Sequence, residues 1–164
     1  MTPDPLAGNS PADTRIATLV QSYLAADYRW ELDGTWHPLT IGECASQLQT
    51  TFPDARSYGL LSAWNPHSVE RPDAENRAAD AALAHALQAS GLRHRAAFSS
   101  ARNRTWREPS WIVLDMPLPA FDALALQFGQ LATVHGERGH PARLRVYHAA
   151  PACAGAPALV DWVR

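Results

Sequence analysis

Lysine is missing from this sequence: all 14 basic residues are arginine. With the heavy use of alanine, that absence reads as the codon bias of a GC-rich bacterial genome rather than as a functional signal. Cysteine is nearly absent as well. Cys44 and Cys153 stand far apart, which excludes a dense disulfide framework and a metal-type cysteine pair, so a reduced, cytoplasmic setting is expected. No apolar run approaches the ~20 residues needed to cross a bilayer, and no membrane association is expected. The opening "MTPDPLAGNSPA" has neither the basic start nor the apolar stretch of a signal peptide, and residues 1–12 are expected to form a disordered tail. There is no Gly-rich phosphate loop, no G-x-S-x-G elbow and no C-x-x-C pair. The net charge is only -2, which argues against nucleic acid held by bulk charge.

What remains fits one domain, expected over residues 13–148, followed by an Ala/Pro-rich tail at 149–164 with a short apolar end, "LVDWVR". Asp13 is a candidate cap for a first helix, in which Ile16, Leu19, Val20, Tyr23 and Leu24 repeat at helical spacing. "DYRWEL" (27–32) alternates as a strand, and Asp33-Gly34 is a turn signal leading into "TWHPLTI". A short helix is expected near 43–50. Then "SYGLLSA" (57–63) reads as a strand, 72–90 as a helix closed by Gly91, "LRHRAAF" (92–98) as a strand, and 99–109 as a polar loop. "SWIVLD" (110–115) is a strand, Pro119 opens a helix closed by Gly129, and "QLATVH" (130–135) and "ARLRVYH" (142–148) are strands. From 57 to 135 the order is strand, helix, strand, strand, helix, strand. The expectation is an α+β fold with a ferredoxin-like βαββαβ core over about residues 57–135, an N-terminal helix and strand extension, and a C-terminal strand.

That topology brings several polar segments to one edge of the sheet: Trp64 to Ser68, Glu75-Asn76, Arg102 to Ser110, and Gly129-Gln130. Asn76 lies two turns before Leu83, and Glu75 lies two turns before Ala82. Both are therefore expected to point toward the sheet rather than to bulk water, where they need hydrogen-bond partners or a wet pocket.

The blocks "AWNPHS", "ENRAAD", "WREPSWIVL" and "FGQLATVHG" occur in that order. Together they resemble the bacterial domain-of-unknown-function family numbered 3293 (DUF3293), over about residues 57–135. The resemblance marks Trp64, Asn65, Pro66, Ser68, Glu75, Asn76, Glu108, Ser110, Phe128, Gly129 and Gln130 as motif positions. It implies a site but no activity. Arg102, Arg104 and Arg107, in the loop before Glu108, are not family residues.

Three kinds of chemistry suit these residues. Asn65, Ser68, Asn76, Ser110 and Gln130, with Trp64 or Trp106 to stack on a ring, suit a small polar or nucleotide-like ligand, or a protein partner, in a sheet-edge pocket. Glu75 and Glu108 are candidate catalytic residues if burial separates their pKa values. An open sheet face carrying Tyr58 and Trp111 would suit single-stranded RNA. His67, His135, His140 and His148 read as surface residues, so no metal site is assigned, and no cofactor is named by any motif.

Overall fold

The computed structural model describes residues 9–103 and 106–163. Most of the tail expected at 1–12, and Arg104, lie outside these. Helix α1 (Pro11–Ala25) is capped by Ser10 rather than Asp13: the Ser10 hydroxyl accepts the Asp13 N–H at 3.1 Å, and Pro11 takes the first turn. Strands β1 (Asp27–Leu32) and β2 (Thr35–Leu39) form a hairpin about Asp33-Gly34. A short α2 (Ser46–Thr51) leads to β3 (Ser57–Leu61), α3 (Asp73–Ser90), β4 (His94–Ser100) and β5 (Arg107–Leu114). Helix α4 (Leu118–Gln127), β6 (Ala132–Glu137), β7 (Arg143–Val146) and β8 (Val160–Trp162) complete the order.

The strands make one eight-stranded sheet in the order β2-β1-β4-β5-β3-β6-β7-β8. It is mixed, because β7 and β8 pair in parallel while the other neighbours are antiparallel. The sheet is thus larger than the four-stranded core the sequence suggests. The N-terminal hairpin extends it beside β4, and β7 and β8 extend it beyond β6. At the edges, β2 carries Pro38 and β8 is three residues long.

The polar loop expected at 99–109 is strand at both ends, where Ser99-Ser100 belong to β4 and Arg107-Glu108-Pro109 to β5. Ser99 pairs with Glu108 and Ser100 with Arg107, leaving only residues 101–106 as the connection. Polarity there marks what the hairpin faces, not an absence of pairing.

Each face of the sheet has its own core. Helices α3 and α4 bring Leu83, Leu87, Phe121 and Ala125 onto Leu61, Ala63 and Val113. Helix α1 brings Ile16 and Val20, and α2 brings Leu48, onto Tyr28, Trp30, Tyr58, Leu60, Ile112 and Leu114. Under α4, Asp122 holds the Arg145 guanidinium through two bonds of 2.7 and 3.0 Å, and it accepts the Tyr147 hydroxyl at 2.7 Å. The expected aromatic platform does not form. Tyr58 is buried in the α1 core at 2% exposure. Trp111, one register step out of phase with it, turns to the other face and donates its indole N–H to Asp80 of α3 at 3.0 Å. Among the described residues no helix is long and apolar enough to cross a membrane.

Gly59 in β3 is a packing requirement, since a Cβ there would run into the buried Phe121 ring. Gly59→Ala is expected to destabilise the protein by roughly 1–3 kcal/mol through overpacking, although Ala is the better residue in an ordinary strand. Urea denaturation checks this, and a neutral or stabilising result would refute the tight contact.

Candidate functional site

The chain leaves β3 and must cross to α3, and the crossing is built on three left-handed residues. Asn65, His67 and Ser68 have φ of 45°, 57° and 55°. Such backbone is costly for non-glycine residues, so hydrogen bonds must hold it. Asn76, 1% exposed in the first turns of α3, supplies most of them. Its Oδ1 accepts the Asn65 N–H at 2.9 Å and the Arg71 Nε–H at 2.7 Å. Its amide nitrogen donates to Asn65 Oδ1 at 2.9 Å and to the Arg71 carbonyl at 3.3 Å. Arg71 also donates to the Ala63 carbonyl at 2.7 Å.

The far side of the loop is fixed by the end of α4. The His67 N–H donates to the Gly129 carbonyl at 2.7 Å, and Gln130 donates to the Trp64 carbonyl at 3.3 Å. Gly129 has φ of 67°, and a Cβ there would lie 2.8 Å from the Pro66 ring, so the close approach needs glycine.

With its Oδ1 held by Asn76, Asn65 is oriented so that its amide nitrogen donates to Glu108 Oε1 at 2.8 Å. Glu108 stands on β5 in phase with Ser110, Ile112 and Leu114, so it faces the α1 side of the sheet. Across the strands, Tyr28 pairs with Ser99 and Ser99 with Glu108, forming a row on that face. Glu108 is 9% exposed, and among the described residues its second oxygen takes no hydrogen bond. It lines a cavity of about 60 Å³ together with Tyr23, Tyr28, Ser62, Trp64, Asn65, Ser68, Ser99, Trp106, Ser110 and Gln130. The buried Trp64 indole N–H has no acceptor among the described residues. A groove of about 320 Å³ lies outside, lined by Leu19, Glu70 and Ala101, and sharing Tyr23, Ala26, Asn65, Ser68 and Trp106 with the cavity. Where the two meet, the Tyr23 and Ser68 hydroxyls are hydrogen-bonded.

Burial raises the Glu108 carboxyl to about 7, and the Asn65 bond opposes that shift. The Tyr23 and Tyr28 hydroxyls are pushed above the ordinary tyrosine value, chiefly by burial, with the Glu108 charge adding to it. The nearby cations do not neutralise Glu108. Arg15 donates to the His67 and Ser68 carbonyls at 2.8 and 3.4 Å, and Arg71 is held by Asn76 and Ala63.

Six of the eight residues proposed from sequence line the cavity: Trp64, Asn65, Ser68, Glu108, Ser110 and Gln130. Asn76 stands behind it as the support for Asn65. Glu75 is exposed and lines neither the cavity nor the groove. It shares its helical face with Ala82, which is itself exposed, so the two-turn spacing carried it away from the sheet. The pairing of Glu75 with Glu108 is thus corrected. Tyr23, Tyr28, Ser62 and Ser99 were missed as site residues. For Ser62 the signal is the strand alternation, since Tyr58-x-Leu60-x-Ser62 continues a buried apolar stripe into a polar side chain, as Leu114-x-Ile112-x-Ser110-x-Glu108 does on the paired strand. Among the described residues no three His, Cys, Asp or Glu side chains converge on a metal position.

Residues 61–133 match the family described as a protein of unknown function, DUF3293. It is the family that the four sequence blocks resemble. Comparison with curated proteins and with solved structures gives no match.

Two stability tests follow from this geometry. Asn76→Ala is expected to cost about 2–4 kcal/mol, because it orphans several buried groups at once, whereas Glu75→Ala next to it should cost under about 1 kcal/mol. Equal losses in urea denaturation would contradict the placement of the two side chains. For Glu108, the folded chain keeps a proton that the unfolded chain loses, so its contribution to stability falls as pH rises from 4.5 to about 7. Glu108→Gln, which still accepts from Asn65, should remove that fall, a difference of at most about 3 kcal/mol. Parallel stability–pH curves for the two proteins would count against a buried, protonated Glu108.

Proposed function

We propose that this protein binds a small polar ligand whose head enters the cavity at Glu108 and whose body lies in the groove beside Trp106. One observation carries the reading: a buried carboxyl group with one oxygen fixed by Asn65 and the other unbonded, in a cavity whose lining continues into a groove. Glu108 lines the cavity with that oxygen left to bond a ligand, and a groove of this size lies in the range of ligand sites. Trp64, Asn65, Ser68, Ser110 and Gln130 are the binding residues of this reading, and Asn76 positions Asn65. We read β4-β5-β3-β6 with α3 and α4 as a ferredoxin-like unit, on its strand order and antiparallel neighbours.

A second reading rests on the same carboxyl group. With a pKa near 7, Glu108 is suited to pass a proton at neutral pH, without Glu75 as a partner. Following the bound compound by NMR over time separates a catalyst from a binder.

The test is a thermal-shift screen of neutral, anionic and cationic small molecules against the wild type, Glu108→Gln and Ser110→Leu, the last of which fills the cavity. A ligand at about 100 times its Kd stabilises the native state by about 2.7 kcal/mol, a shift of several degrees in Tm. The expected hit stabilises the wild type and Glu75→Gln but neither cavity variant. Shifts that survive both cavity variants, or no shift from any class, would end this reading.

A further inference from the structure

We infer that the ligand is an organic cation, with a protonated amine entering the cavity and an apolar or aromatic body in the groove; this rests on the binding function proposed above.

Charge is the first argument. Among the described residues, the carboxylates of Glu108 and Glu70 are the charged groups lining the two spaces, and no arginine or histidine joins them. Arg15 and Arg71 turn their donors to backbone carbonyls and to Asn76. An anionic head would meet Glu108 with no cation to offset it. A neutral head would leave the burial of Glu108 uncompensated. A protonated amine does the opposite: it gives the free oxygen a charge-assisted donor and favours the ionised carboxylate.

Size and surroundings agree. A cavity of about 60 Å³ has room for an ammonium or methylammonium group. The walls at this point are aromatic, with Tyr23, Tyr28, Trp64 and Trp106, and aromatic faces attract cations. Beyond the mouth, Leu19, Ala26 and Ala101 line the groove with Trp106, which is 40% exposed there. That surface suits a hydrocarbon body.

The experiment compares benzylamine, benzyl alcohol and benzoate, which share one ring, by calorimetric titration of the full chain. The expected result is benzylamine binding roughly tenfold more tightly than benzyl alcohol, with benzoate weakest. Glu108→Gln should abolish the preference without unfolding the protein. Benzylamine affinity for the wild type should also rise between about pH 6 and about pH 8, as Glu108 ionises, and stay flat in the variant. Tyr23 and Tyr28, which face Glu108 from α1 and β1, stay protonated over that range. Binding of the alcohol or the acid as tight as that of the amine overturns the inference while leaving the site intact. So does a failure of all three probes when the wider screen finds a Glu108-dependent ligand of another class. Failure of every class in that screen removes the binding reading itself.

Discussion

The reciprocal amide pair between Asn65 and Asn76 is the contact on which the site depends. The Asn76 amide nitrogen donates to Asn65 Oδ1, and Asn76 Oδ1 accepts the Asn65 backbone N–H. Through that pair a loop with three left-handed residues acquires one geometry, and the Asn65 amide nitrogen is left pointing at Glu108. A side chain with only one of these functions could not do this, because Asn65 Oδ1 needs a donor and the Asn65 backbone N–H needs an acceptor. Glutamate or aspartate at 76 would lack the donor, and a hydrophobic residue would leave buried polar groups unpaired. The four motif blocks converge here: the loop itself, the first turns of α3, the start of β5, and the end of α4.

The site lies where two structural demands collide. The α1 face of the sheet is apolar along most of its length, but at one end of β3, β4 and β5 it turns to serine and glutamate. Helix α1 still covers that end, with Tyr23 bonded to Ser68 and Arg15 to the loop carbonyls. A carboxyl group is therefore enclosed without an ion pair among the described residues, an arrangement that raises its pKa. By contrast, the half-buried carboxylate of Asp122 is paired with Arg145 and Tyr147 and reads as a brace between α4 and β7.

Much of this was legible in the sequence, for reasons that differ by element. Helices α1, α3 and α4 carry apolar stripes at helical spacing, β1 alternates, and β2 follows a turn signal, so their presence follows from pattern. Asn76 was placed correctly because it is in phase with Leu83, a buried leucine. Glu75 was misplaced because Ala82, its reference residue, is compatible with either face of a helix, and alanine carries too little hydrophobic surface to decide. The β4–β5 hairpin was cut short because its last residues are polar, and polarity in a strand facing a wet cavity resembles polarity in a loop. The pairing of β8 with β7 does not follow from local pattern, since it depends on which distant segment packs where. Tyr23 was read as one more apolar position on α1, and only the packing of α1 over Ser68 reveals its hydroxyl as part of the site.

The two edges of the sheet bear on how the molecule behaves among copies of itself. A broad sheet with an open edge is a template for strand addition and aggregation. Here one edge strand, β2, contains Pro38, which has no N–H to offer an incoming strand. The other, β8, is three residues long, too short to seed a stable new ladder. A chain that devotes one sheet to both of its cores thus offers an incoming strand little to pair with at either edge.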